Sequence, residues 1–218
     1  PEFTLLEWYR PGWDLERLIG EVAELVRQAL GQPERPVEIL SYRQLFRDRL
    51  AIDPLHATLA ELAACARGQG INRVEQLSLD HDGWLDLLLT HCLETGLGRG
   101  CLTFIRDYPP SQAALARLRP GPEPVAERFE LYLEGVELAN GFAELTDAAE
   151  QRRRFEQDQA RRREQGLPVP PLDEAFLGAL AGGMPEAAGV ALGLDRLLMA
   201  ITGASHIDQV LAFPIERA

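Results

Sequence analysis

The chain of 218 residues contains no lysine, and all 22 of its basic residues are arginine. That absence excludes a phosphate-loop lysine, a Schiff-base lysine and self-modification at lysine within this segment. A codon bias that also enriches Ala, Gly and Pro is the ordinary explanation. Cysteine is scarce: Cys65, Cys92 and Cys101 are odd in number and form no Cys-x-x-Cys pair, so reduced thiols in a cytoplasm are the simplest account. No apolar run approaches the ~20 residues of a membrane span and no signal-peptide pattern opens the chain, so a soluble protein without a membrane partner is expected. His56, His81 and His91 lack metal-ligand spacing, which argues against a zinc site. Positive charge is also in deficit: the net charge of −12 argues against a long polyanion as the main partner, because nucleic-acid affinity comes largely from neutralised phosphates.

What is present suffices for one substantial core, since 46% of the residues are hydrophobic. Residues 3 to 9 alternate as a strand. Asp14 then caps a helix whose apolar face is Leu15, Leu18, Ile19, Val22, Leu25, Val26, Ala29 and Leu30, and Gly31 ends it. Short helical patterns follow around 41–50, 57–67 and 84–95, separated by prolines and the turn-rich His81-Asp82-Gly83, with no recognisable chemistry. Leu102–Ile105 reads as a strand, 126–144 as a hairpin, and a helix near Asp147 carries the triplets Arg152-Arg153-Arg154 and Arg161-Arg162-Arg163. That helix reads either as a solvated surface, interleaved with Glu156, Asp158 and Glu164, or as a docking face for an acidic protein or RNA. A Pro-rich loop at 166–171, a helix around 173–182 and a final strand and helix complete the order. The elements do not alternate as βαβ units, so an α+β fold with an antiparallel β-sheet flanked by helices is expected.

The hairpin is the most informative segment. If Glu134-Gly135 forms a tight turn, Leu133 pairs with Val136 and Tyr132 with Glu137, which leaves Glu130 diagonal to Glu137 on one face. Diagonal neighbours lie roughly 7–8 Å apart, a span that a divalent cation can bridge. Glu144 continues the series at the same interval of seven. The plain alternative is a solvated strand face.

Fifty residues on, Gly189-Val190-Ala191-Leu192-Gly193 runs into Leu194-Asp195-Arg196. Glycine lets a flat ligand approach the backbone, and an arginine in the first helical turn adds its guanidinium to the positive end of the helix dipole, a natural place for phosphate. Taken alone, this could equally be a capping Asp with a surface Arg. Together the two blocks resemble the end of the catalytic domain of class II aminoacyl-tRNA synthetases, the second block being similar to their motif 3. The opening Pro1-Glu2-Phe3-Thr4-Leu5-Leu6-Glu7-Trp8-Tyr9-Arg10-Pro11 resembles the tail of motif 2. The closest subgroup is the lysyl one, and the Glu-Trp-Tyr-Arg-Pro wording is similar to its truncated paralogues, which attach (R)-β-lysine to a lysine of translation elongation factor P.

The resemblance implies a six- or seven-stranded antiparallel sheet, a homodimer, and carboxylate activation by ATP with Mg²⁺. By the same resemblance Glu130 and Glu137 hold the metal, and Arg196 binds the far end of ATP and shares the catalytic role with Glu137. Phe3 stacks on adenine, and Leu138 and Gly193 line the nucleotide site through their backbones. Glu144 and Tyr9 receive a side-chain amine, Glu7 and Asn140 serve the other polar end, and Phe142 walls the pocket. Read without the motif, Phe3 would be a core aromatic and Glu7 an edge-strand charge.

One departure stands out: Ala191 occupies a position where lysyl-tRNA synthetases have the middle glycine of a Gly-x-Gly-x-Gly run. One methyl group can shift specificity by roughly 1–3 kcal/mol, so Ala191 is the expected selector of β-lysine over lysine. The resemblance also implies a single catalytic domain over residues 1–218 that lacks motif 1 and the start of motif 2, and such a segment is expected not to turn over by itself. Two other readings remain open: the catalytic core of a lysyl-tRNA synthetase, with tRNA as acceptor, and a non-catalytic regulatory paralogue.

Overall fold

The computed structural model describes residues 2–215. Pro1 of the opening motif and residues 216–218 lie outside the described residues. The chain begins with strand β1 (Leu5–Pro11) and helix α1 (Leu15–Leu30), capped by the Asp14 side chain and ended by Gly31 in the left-handed conformation, as its sequence predicts. Strand β2 (Val37–Ser41) and helices α2 (Tyr42–Leu50), α3 (Leu59–Gly68) and α4 (His81–Leu88) follow. The second half contains β3 (Leu102–Tyr108), β4 (Leu118–Arg119), β5 (Val125–Leu133), β6 (Val136–Ala143), α5 (Ala148–Glu164), α6 (Glu174–Ala181), β7 (Ala187–Gly193) and α7 (Leu194–Thr202). Among the described residues no helix is long and apolar enough to cross a membrane.

The strands form one sheet in the order β1-β7-β6-β5-β3-β2, with β4 beside β5. All pairings are antiparallel except β2 with β3, so the sheet is mixed rather than purely antiparallel. The reason is connectivity: α2, α3 and α4 intervene between β2 and β3, and a long crossover of this kind returns the chain parallel. Two further expectations change. His81-Asp82-Gly83 is the first turn of α4 rather than a loop, because the Asp80 side chain accepts from the Gly83 N–H. The first strand starts at Leu5 rather than at residue 3.

Alternation along the strands divides the sheet into two faces. On one, Phe104, Phe129, Leu131, Val190 and Leu192 pack against Leu18, Ile19, Val22 and Val26 of α1. Each such side chain, fully buried, contributes about 1.5–3 kcal/mol. On the other, Ile105, Tyr108 and Tyr132 pack against Tyr42, Phe46, Leu62, Trp84, Leu85 and Leu88 of the α2–α4 layer. That layer covers the β3 end and leaves the face over β6, β7 and β1 open.

The arginines of α5 are engaged within the chain. Arg152 pairs with Glu174, Arg153 and Arg154 with Glu150, and Arg161 with Asp158 and Asp82. Arg162 donates to the Pro168 carbonyl and Arg163 to Gln159. Glu150 turns to these arginines, so the Asp147 cap is one-sided.

Candidate active site

The β5–β6 hairpin turns on Glu134 and Gly135, whose φ angles of 50° and 82° suit a two-residue turn. Leu133 faces Val136 and Tyr132 faces Glu137, as the sequence predicts. A bulge follows, because Leu131 pairs with Ala139 and Leu138 is the extra residue. Its consequence decides the site. Without it, Glu137 and Glu144 would project from opposite faces, since their separation is odd. The bulge sends Leu138 and Ala139 into the α1 core and leaves Glu137, Asn140, Phe142 and Glu144 on the open face with Glu130.

Cross-strand registry then lines up the candidate residues. Glu7 pairs with Ala191, Ala191 with Asn140, and Asn140 with Glu130, forming one row across four strands. The adjacent row is Tyr9, Gly189, Phe142 and Arg128. At the other side Leu5 pairs with Gly193, which leads into α7.

A cavity of about 420 Å³ opens over the first row and is lined by Phe3, Glu137, Leu138, Asn140, Ala191, Gly193 and Arg196. Leu138 is 3% exposed and its side chain belongs to the core, so its backbone is what serves the cavity. Arg196 donates to the Glu137 carbonyl at 2.6 Å and lies 3.7 Å from the Glu137 Oε2, with half of its side chain still exposed. Phe3 is well exposed at the mouth. Asp195 does not cap α7: the cap position is Gly193, and the buried Asp195 carboxylate accepts from the Thr4 N–H at 2.5 Å. Leu194 N–H donates to the Thr4 carbonyl, so α7 pins the strand entry beside Phe3.

The two hairpin carboxylates are unequally provided for. Glu130 is buried and accepts from Arg128 Nη2 at 2.5 Å and from the Tyr132 hydroxyl at 2.6 Å. Burial first, and then the nearby Glu130 charge, raise the Glu137 carboxyl above its usual range; Arg196 and Arg128 only partly offset this. Among the described residues no group of three or more His, Cys, Asp and Glu could hold a metal ion. Glu130 and Glu137 are diagonal on one hairpin face, and one or two carboxylates are what magnesium takes from a protein when phosphates supply its other ligands.

Glu144 follows the end of β6, one row beyond the second, and its carboxylate reaches back over Gly189. It is 8% exposed, no side chain among the described residues donates to it, and burial raises its carboxyl to about 7. A Cβ at Gly189 would lie 2.5 Å from Glu144 Oε1 and 2.7 Å from the Tyr9 ring. Glycine is therefore what lets the carboxylate and the phenol meet over β7. The Tyr9 hydroxyl is in turn raised by burial, Glu144 and Glu7.

Arg128, Tyr132 and Asp195 are site residues that sequence reasoning missed. Arg128 could have been found, because it precedes Glu130 by two and must share its face. Asp195 gave no comparable signal.

The model of the family described as tRNA synthetases class II (D, K and N) matches residues 1–217. The chain belongs to this family. A relative in Klebsiella pneumoniae subsp. pneumoniae, named elongation factor P–(R)-beta-lysine ligase, is 49% identical over 218 residues, covering 100% of this chain and 66% of its own length. A relative of the same name in Salmonella dublin is 48% identical with the same coverage. The chain thus spans 66% of the length of the curated relatives it matches. For a class II tRNA synthetase, the mixed sheet with its antiparallel centre is the expected α+β frame.

The glycines of the final strand should differ in their tolerance. Gly193→Ala meets nothing closer than 3.7 Å, so its unfolding free energy should stay near that of the native chain. Gly189→Ala must displace Glu144 and Tyr9 and should cost about 1–3 kcal/mol. Urea unfolding measures both, and equal tolerance at the two positions would contradict the close approach at Gly189.

Proposed function

We propose that the chain is the catalytic part of an ATP-dependent ligase that activates (R)-β-lysine as an adenylate and transfers it to the ε-amine of a lysine on translation elongation factor P. The observation that carries this reading is the pairing of two ends on one sheet face. One end is an anionic pocket of Glu144 and Tyr9 for an ammonium group; the other is a cavity bearing Phe3, Arg196 and Glu137 for a nucleotide, with Glu130 diagonal to Glu137 on the hairpin and lining the neighbouring cleft. The row Glu7, Ala191, Asn140 joins them. The names of these relatives supply the acyl donor and the acceptor. By the same reading the whole protein is a cytoplasmic homodimer.

The chemistry follows from the placement. A carboxylate oxygen of the amino acid attacks the α-phosphorus of ATP, the bond to pyrophosphate breaks, and a mixed anhydride forms. The acceptor amine then attacks the anhydride carbonyl, forms an amide, loses a proton and expels AMP. Glu130 and Glu137 would hold Mg²⁺, which supplies positive charge to the phosphoryl oxygens as negative charge grows on them. Arg196 neutralises the far end of the nucleotide, and Phe3 covers the base. Glu144 and Tyr9 take the substrate's side-chain ammonium, since burying it unpaired would be prohibitively costly. Glu7 and Asn140 orient the polar end that carries the reacting carboxylate. Phe142 walls the pocket. Ala191 lies between Glu7 and Asn140, where its methyl group presses on the carbon that differs between the α and β isomers.

Pyrophosphate exchange by the full-length protein, with (R)-β-lysine and lysine in parallel, tests this reading. Exchange should favour (R)-β-lysine, and Ala191→Gly should shift the ratio toward lysine by about 10-fold or more. No exchange with either amino acid would refute the ligase; an unchanged ratio in Ala191→Gly would remove Ala191 as selector.

Glu144 sets a pH dependence. Burial raises its carboxyl from 4.5 to about 7, so the folded chain holds that proton more tightly than the unfolded chain does. The associated stability is complete below the unfolded value and is lost as pH rises through the folded one. An ammonium substrate needs the ionised carboxylate and reverses the preference. Amino-acid affinity should therefore rise about tenfold between pH 6 and pH 8, and Glu144→Gln should bind weakly with a flat profile. A flat profile in the native protein would contradict the assignment.

A further inference from the structure

A second and larger cleft, of about 900 Å³, lies between α5 and the β5 edge of the site. It adjoins the nucleotide cavity at two places: Arg128, which lines the cleft, donates from Nε to Asn140 Oδ1 at 3.3 Å, and Glu130, which also lines the cleft, sits opposite Asn140 in the sheet, with Asn140 lining the cavity beyond. Three observations define what the cleft would accept. Its four arginines are all committed to carboxylates of this chain: Arg128 to Glu130, Arg153 and Arg154 to Glu150, and Arg161 to Asp158 and Asp82. Asp86 is the one carboxylate lining the cleft that has no ion pair among the described residues; it accepts only from Gln112 Nε2 at 2.9 Å. Burial first, and then the neighbouring Asp82, raise its carboxyl, and Arg128 offsets this only in part. Gln151, on the α5 wall, is 1% exposed, and its Nε2 has no hydrogen-bond partner among the described residues. Such a buried donor costs free energy until a carbonyl reaches it.

We propose that this cleft receives the lysine-bearing peptide segment of the protein acceptor, with Asp86 facing its positive charge and Gln151 donating to one of its backbone carbonyls. The inference rests on the ligase reading and adds the route by which the acceptor reaches the adenylate. A phosphate backbone would not suit the cleft, because no arginine there is left to neutralise it.

The full-length protein separates the two half-reactions. Asp86→Asn and Gln151→Leu each remove one recognition group, and Gln157→Trp blocks the cleft from an exposed position on α5. Pyrophosphate exchange, which needs no acceptor, should stay within twofold of the native rate in all three. The KM for elongation factor P in the transfer step should rise at least fivefold in the first two variants and more in the third. Unchanged transfer, equal loss in both half-reactions, or inhibition of native transfer by tRNA that Gln157→Trp abolishes would each overturn the cleft assignment. A native protein that exchanges no pyrophosphate would instead fail the ligase reading itself, and the cleft assignment with it.

Discussion

Everything at the site depends on two carboxylates, Glu130 and Glu137, being held on one face of the β5–β6 hairpin against their mutual repulsion. The protein satisfies one of them and leaves the other in want. Glu130 is clamped by Arg128 and Tyr132, whereas Glu137 carries the cost of burial beside a like charge. The frame tolerates that cost because the hairpin is anchored elsewhere, through Phe129, Leu131 and Leu133 in the α1 core and Tyr132 in the opposite one. One acid short of positive charge beside another, on a rigid sheet, is what a preorganised cation site requires, since no reorganisation is then needed when a positive charge arrives.

The same design recurs at the other end of the sheet. Glu144 is buried without a cation of its own, beside a phenol, in space that exists because residue 189 has no side chain. Between the two acidic ends, small residues of β7 keep the floor flat, and β1 and β6 set polar groups on either side. An extended substrate with an ammonium at one end and a carboxylate at the other matches this spacing of charge. Stability enters in the opposite sense, because each uncompensated acid weakens the fold that presents it.

Much of this was legible in the sequence. The α1 periodicity with its Asp14 cap and Gly31 stop, the Glu134-Gly135 turn, and the strand-to-helix passage through Gly193 are local patterns, and local patterns survive folding. The pairing partners were not legible, because registry between distant strands is a tertiary property. The bulge at Leu138 is the clearest case: an interval of seven between acids says nothing of faces until one residue slips out of register. Strand β2 was missed for a different reason. It is five residues long after Pro36, and its parallel partner begins at Leu102, so neither length nor neighbours announced it. Asp195 looked like a helix cap and is instead a tether for Thr4, a contact across 191 positions in the chain.

The central claim is that the Glu130–Glu137 pair waits for a divalent cation brought with a nucleotide. Calorimetric titration of the full-length protein with ATP, in magnesium and in EDTA, tests it most directly when repeated on Glu137→Gln. The account predicts that magnesium tightens ATP binding about tenfold or more in the native protein and much less in the variant, roughly 1.4 kcal/mol or more of coupling. Equal affinity for ATP with and without magnesium in the native protein would contradict it.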